Sequence, residues 1–307
     1  MTTKEKINFL HKYVKKWHIR WRKKHGDNVV GFRVGKKIEK GKEYREYSII
    51  FQVKKKKNER YLKERELLPK FFSLKFPDGK IRMIKTDVIE AGAFKLQRGI
   101  GSKVKNPYDG AVGSLGVFVK DDNEIVYALT NFHVARWSKI DSDGLGSADR
   151  EENDPKNDLE ITLSNGSKLY GTFITGKINR KVDVAFVEID NGDLDKINNE
   201  LPHVSRGNVL GKSTIQKNNA VTVFGFRNSN RNATISDEKA TLHTDEKNIY
   251  FEEILQLHPK VTQKGDSGGL VLNEFENAVG LIVGADKMYS YAIQFSEINQ
   301  YKAINIY

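Results

Sequence analysis

Cysteine is absent from this 307-residue chain. No disulfide can brace it, so a fold of this length must stand on its apolar core, which fits a reducing compartment. The absence also excludes thiolate zinc sites, and the seven histidines show no ligand-like spacing. Long apolar runs are missing too. No segment reaches the roughly 18 apolar residues of a membrane span, and the N-terminus "MTTKEKINFLHKYVKKWHIRWRKKHG" has no signal-peptide core. These absences predict a soluble, cytoplasmic protein without a membrane span, in which the glycosylation-like triplets at Asn165 and Asn232 carry no meaning. No repeat of fixed period is visible.

Charge is abundant but uneven. The net charge is +12. Residues 1–100 hold 29 Lys and Arg against 11 Asp and Glu, a balance of +18; residues 101–307 hold 23 against 29, a balance of −6. The basic surface therefore belongs to the first third. There, Ile7, Leu10, Tyr13, Val14, Trp17 and Trp21 recur at three- and four-residue steps, which predicts an amphipathic helix over 4–24 ended by Gly26. Two hairpins should follow: "NVVGFRVGKKI" with "YREYSIIFQVKKK", then "LKFPDGKIRMIKTDVIEAG" turning at Pro77-Asp78-Gly79. "KNERYLKERELLPKFF" between them suits a short helix stopped before Pro69. Residues 1–97 thus read as a small basic α+β module. Its run Lys54–Lys57 is a solvated strand end or a contact for a polyanion.

From residue 98 the texture changes. Short alternating strands come about every ten residues, divided by Gly, Asn and Asp, which is the pattern of antiparallel barrels or a sandwich. The fold class is therefore mainly β. The tail "FSEINQYKAINIY" suits a closing helix. The acidic stretch from Arg136 to Asp158 reads as a flexible surface loop; its "DSDG" lacks the later ligands of a calcium loop. No cofactor or metal is expected.

Three islands carry chemistry. "ALTNFHVA" puts His133 after a β-run. "KVDVAFVEI" opens an apolar strand with Asp183, a carboxylate that needs a donor. "QKGDSGGLV" clasps Ser267 between glycines at the head of another strand. Each has an ordinary reading alone: a structural histidine, a capping aspartate, a tight turn. Together, as "HVA", "DVA" and "GDSGG" in that order, they resemble the trypsin/chymotrypsin-like serine peptidases, and the resemblance covers roughly residues 98–300.

The resemblance implies a double antiparallel β-barrel of six strands each, with His133 and Asp183 from the first barrel and Ser267 from the second. Ser267 would be the nucleophile, His133 the base that activates it, and Asp183 the acid that orients His133. The N–H groups of Gly265 and Ser267 would form the oxyanion hole. Asp190, Asp193 and Asp195 compete less well for the acid's place, since they lie in a loop. Without cysteine the chain is similar to intracellular bacterial trypsin-like peptidases, including HtrA-like proteins. No PDZ-like extension follows residue 300, which argues against a full HtrA architecture.

Two departures matter. In secreted members the residue matching Asp266 is held by a new N-terminus made by cleavage. Here either cleavage near Arg98 supplies one, or an internal Lys, Arg or amide takes its place. The position that selects basic side chains in trypsin is Val261, beside Thr262, which favours an apolar or small residue before the scissile bond. Gly284, Asp286 and Ser290 should complete that pocket. The expected partner is a protein or peptide substrate, with a regulatory protein or acidic polymer at the basic module. The rival readings are a pseudoprotease and a nucleic-acid-binding protein.

Overall fold

The N-terminal helix shows how local signals and packing agree. In the computed structural model α1 spans Thr3–His25. Thr2 caps it: its hydroxyl accepts from Glu5 N at 3.2 Å while Glu5 Oε2 accepts from Thr2 N at 2.6 Å, a reciprocal capping box. Gly26, at φ +82°, ends it, a conformation that suits glycine. Leu10, Val14 and Trp21 are buried as the periodicity predicts. The periodicity did not reveal His11, His18 and His25, which share that face at seven-residue steps and are also buried.

The structure describes residues 1–39, 42–92, 95–96, 104–163, 166–197, 214–226, 231–244 and 246–307. Arg98, with the cleavage expected beside it, and Asn165 lie outside them. After α1 come β1 (Val29–Glu39), β2 (Lys42–Val53), β3 (Phe71–Lys75) and β4 (Ile81–Glu90). β1–β2 and β3–β4 are the two expected hairpins, and β4 then joins β2 in parallel. The short helix expected before Pro69 is replaced by two single 3-10 turns, Glu59–Tyr61 and Glu64–Glu66. Each closes on two i+3 bonds before the chain extends, so neither propagates. A separate apolar core, with Trp21 stacked on Phe72 and close to Phe32 and Phe51, joins α1 to these strands.

β5 (Lys95–Leu96) leads into β6 (Val104–Lys105), β7 (Val112–Gly113), β8 (Phe118–Lys120) and β9 (Val126–Thr130), and then the short helix α2 (Phe132–Ala135). β10 (Gly146–Asp149), β11 (Asp158–Thr162), β12 (Lys168–Ile178), β13 (Asp183–Ile189) and α3 (Leu194–Ile197) follow. The last part holds β14 (Ala220–Phe224), β15 (Arg231–His243), β16 (Tyr250–His258), β17 (Leu270–Asn273), β18 (Ala278–Ala285), β19 (Ser290–Gln294), α4 (Phe295–Tyr301) and β20 (Asn305–Ile306).

Among the described residues the strands form two sheets. The first runs β20-β8-β9-β13-β12-β11-β6-β7, with β10 on β12, nine strands where six were expected. In the second, β14-β17-β18-β19-β16-β15 closes a six-stranded ring through the β14–β15 pair. β1 also pairs with β15 at Gly31↔Leu242 and Phe32↔Thr241. The N-terminal strands therefore extend the second barrel's sheet. The stretch 136–158 is not a free loop: β10 pairs with β12, and Arg136 is fully buried, its guanidinium 4.9 Å from the Phe173 ring and 3.0 Å from Asp154. A buried cation needs such partners, and they tie the stretch down.

Candidate active site

β9 and β13 are neighbours, with Ala185 opposite Thr130. That register places Asp183, the first residue of β13, beside the turn of α2 that follows β9. His133 lies on that turn. Its Nδ1 sits 2.6 Å from Asp183 Oδ2, and its backbone N–H donates to Asp183 Oδ1 at 3.2 Å. Asn131 Nδ2 donates to the Asp183 carbonyl at 2.8 Å. One carboxylate thus holds both the ring and the main chain of the same histidine, and all of these groups are buried. An ionised carboxylate only accepts, so Nδ1 carries the proton and the neutral ring keeps Nε2 as an acceptor. Nε2 is buried and has no hydrogen-bond partner among the described residues. A buried acceptor left open is costly, and such groups concentrate where function needs them.

Ser267 follows the tight turn before β17. Its loop is held by main-chain bonds: Asp266 N to Gln263 O, Gly269 N to Asp266 O, Gly268 N to Ile282 O, and Ile282 N to Gly269 O, all between 2.7 and 3.0 Å. The hydroxyl donates to the Val283 carbonyl at 3.1 Å. Gly268, at φ +89°, has no room for a side chain: a Cβ would lie 2.2 Å from the Ser114 carbonyl and 2.6 Å from Thr130 Oγ1.

Ser114, which sequence reasoning missed, ties the two barrels together here. Its N–H donates to Ser267 O at 2.6 Å, and its hydroxyl donates to Gly265 O at 2.8 Å and accepts from Phe226 N at 3.0 Å. Gly113 beside it lies between the two halves: a Cβ there would meet Val134 Cγ2 at 2.5 Å and Ser267 O at 2.8 Å. The histidine turn and the serine loop therefore pack on either side of Gly113. The only sequence hint was the small-residue run "AVGSLG".

Asp266 is fully buried. Its Oδ2 accepts from the Gln263 main-chain N–H at 2.8 Å. Gly225 makes room for the carboxylate, since a Cβ there would fall 2.4 Å from Oδ1.

The five expected pocket residues gather where β18 and β19 meet. Ser290 Oγ accepts from Val261 N (3.0 Å), Thr262 N (3.1 Å) and Thr262 Oγ1 (2.8 Å), and Ser290 pairs with Ala285. Gly284 pairs with Tyr291 on one side and Leu96 on the other. Asp286 is buried and accepts from Tyr291 OH, Met288 N and Tyr289 N, each at 2.7 Å. Burial raises its pKa above the usual carboxylate range, against those donors. The N-terminal strands reach this corner: Gln52 Nε2 donates to Tyr291 OH at 2.9 Å, and the Arg33 guanidinium lies 5.6 Å from the Tyr289 ring centre. Sequence reading had no signal for either contact, because both depend on β1–β2 docking on β15. No helix among the described residues is long and apolar enough to cross a membrane.

A family model described as a trypsin-like peptidase domain matches residues 113–281, just over half the chain. No curated protein matches. Among solved structures, a glutamic-acid-specific serine protease that uses a histidine triad in substrate binding is 16% identical, with a TM-score of 0.48 over 67% of this chain and 98% of that one. A Nocardiopsis protease is 15% identical (TM-score 0.44; 70% and 97% covered), and a Cellulomonas bogoriensis chymotrypsin 18% identical (0.43; 67% and 96%).

Proposed function

The chain belongs to the trypsin-like peptidase family and is a serine endopeptidase, and from that premise we propose that Ser267, His133 and Asp183 are its catalytic triad. The observation that carries the assignment is the buried pair of His133 and Asp183, with Nδ1 bonded at 2.6 Å and Nε2 left without a partner. In this reading Nε2 takes the Ser267 proton as Oγ attacks the peptide carbonyl, and returns it to the leaving amine. Asp183 stabilises the imidazolium that forms between the two steps. The acyl-enzyme on Ser267 is then hydrolysed by water activated in the same way. Before substrate arrives, the hydroxyl rests on Val283 O, so binding must shift it towards His133; such bonds tighten in the substrate complex.

The N–H groups of Gly265 and Ser267 receive the developing oxyanion. Support comes from the φ of +106° at Gly265 and from the Ser114 hydroxyl that fixes its carbonyl. Val261, Thr262, Gly284, Asp286 and Ser290 form the pocket for the residue before the scissile bond. Asp286 spends its oxygens on three local donors, which suits a shaping role and an apolar or small substrate residue.

The proposal divides the chain into a basic module (1–97) and a protease domain (98–307), the module having an apolar core of its own. The module's role would be regulatory or targeting, towards a protein partner or an acidic polymer, in a cytoplasmic enzyme of restrained or narrow specificity. Part of its lysine run is used at home: Lys57 pairs with Glu66 at 2.8 Å and Lys56 Nζ donates to Val88 O at 3.1 Å.

A fluorophosphonate probe tests the core of this reading. It should label Ser267 in the wild-type chain and not in Ser267→Ala or His133→Ala. Folded wild type that neither labels nor cleaves a peptide library, before or after limited proteolysis, would point to a pseudoprotease.

A further inference from the structure

One edge of β18 is filled by β19 from Gly280 to Ala285. The other edge takes a succession of partners. β17 pairs with it at Leu281, Gly280 and Ala278. Next, Ile282 exchanges main-chain bonds with Gly268 and Gly269. At Val283 the register against β19 slips, and the Val283 carbonyl receives the Ser267 hydroxyl at 3.1 Å. Beyond it, Gly284 and Ala285 pair antiparallel with Leu96 and Lys95 of β5.

β5 is therefore the strand next to the nucleophile on that edge. An unpaired edge beside Ser267 would offer N–H and C=O groups to any extended peptide, the main-chain mode by which strands add to sheets. Here the chain's own backbone holds those positions. The approach to them is anchored. Ala91 N donates to Val53 O at 2.9 Å and Ala91 O accepts from Lys287 N at 2.9 Å. Lys287 Nζ reaches Glu90 Oε1 at 3.3 Å. Gly92 turns the chain at φ +79°, lying on the Lys287 side chain so closely that a Cβ would meet its Cγ at 2.8 Å.

We propose that Lys95–Leu96 is an intramolecular competitor for substrate: it occupies the β18 edge that an extended peptide must pair with to reach Ser267. This rests on Ser267 being the nucleophile of a peptidase. The pairing is short and tethered, so it competes as a local effective concentration that a good substrate can displace. Small reagents that need only the serine and its oxyanion donors are not excluded by it. Peptides that need the edge are.

The test uses the full chain with Lys95→Pro and Leu96→Pro singly, since proline removes a ladder N–H and fixes φ. Two readouts are compared: the labelling rate of a small alkyl fluorophosphonate, and KM for a tetrapeptide amide substrate. In at least one variant KM should fall on the order of tenfold, the scale of one or two net backbone hydrogen bonds, with labelling unchanged. Unchanged or higher KM in both variants, with labelling intact, overturns the proposal. Unmodified protein gives a second measurement free of folding defects. A tripeptidyl phosphonate bound at Ser267 should speed hydrogen exchange at residues 95–96, and the alkyl fluorophosphonate should not. Equal exchange with both reagents overturns the proposal as well. A wild-type chain that no fluorophosphonate labels overturns the peptidase reading itself.

Discussion

The two barrels hold their halves of the site by different means. In the first, side chains do it: the Asp183 carboxylate fixes the ring and backbone of His133, and Asn131 fixes Asp183 in turn. In the second, main chain does most of it, helped by the Ser114 hydroxyl and the Asp266 carboxylate: Ser267 stands on a loop whose amides and carbonyls bond to one another and to β18, with glycines where a Cβ has no room. The first half is an arrangement of side chains, and the second is chiefly a conformation. Substitutions should therefore fail differently in each, by lost proton transfer in the first and by lost shape in the second.

The largest effects should come from the proposed triad. Ser267→Ala or His133→Ala should lower kcat by about 10⁶, and combining them should add little, because such residues act as a unit. Asp183→Asn should cost about 10⁴, since the amide no longer enforces the proton on Nδ1. Because no side chain in the first barrel need move, the Asp183→Asn protein should melt near the wild type. A large drop in melting temperature there would erase the contrast between the halves.

Gly268→Ala probes the other half. The added Cβ meets a backbone oxygen at 2.2 Å at φ +89°, and a non-glycine residue in that region alone costs about 1–3 kcal/mol. Thermal stability should fall and kcat should drop by about 10², the scale of a 1 Å misplacement, with the His133–Asp183 pair untouched. Proton NMR of the His133 ring would check that last point: its low-field Nδ1 proton should persist in Gly268→Ala and vanish in Asp183→Asn.

Ser114→Ala should be milder. It strands the Gly265 carbonyl and the Phe226 amide, a loss of roughly 1–3 kcal/mol for buried groups left unpaired. If Ser114 sets the loop's shape, steady-state kinetics should show lower kcat with KM little changed. A pure KM effect would place Ser114 in substrate binding instead.

How much of this was legible in the sequence follows the same division. His133 and Asp183 each have an ordinary reading alone and stood out only as "HVA" and "DVA" in order before "GDSGG". Ser267 stood out through its glycines, which report backbone conformation. Strand periodicity made the hairpins and the mainly β class readable. What stayed hidden depends on three-dimensional neighbours: Ser114 is one small residue among several, and nothing local marks it as a bridge. The docking of β1 on β15, and with it Gln52 on Tyr291, joins segments about 200 residues apart. The histidine stripe of α1 was hidden because its partners lie on β15 and β16.

That stripe gives the smallest and most local prediction, at the junction of α1 with the second barrel. His18 Nε2 lies 3.0 Å from Glu252 Oε1, and His18 Nδ1 lies 3.2 Å from His243 Nε2. Tyr250 stacks on His243, Arg180 lies over Tyr250, and Lys15 is 3.9 Å from Glu252. Burial, then Arg22 and His18, holds the His243 pKa well below 6.5. Burial pushes Glu252 up, but His18, Lys15 and Arg180 more than offset it and leave its pKa lowered. The unfolded chain therefore binds a proton at His243 below about pH 6.5 that the folded chain refuses, so stability falls as pH drops through that value. The slope from one such group cannot exceed about 1.4 kcal/mol per pH unit. Glu252 has its own acid loss, beginning only near the ordinary glutamate range. Melting temperatures at pH 7.5 and 5.5 separate the two: His243→Gln should flatten the decline between those values, whereas Asp183→Asn should leave it as in the wild type. An equal decline in His243→Gln would mean that the helix junction does not titrate there, and that the acid sensitivity belongs to the barrels themselves.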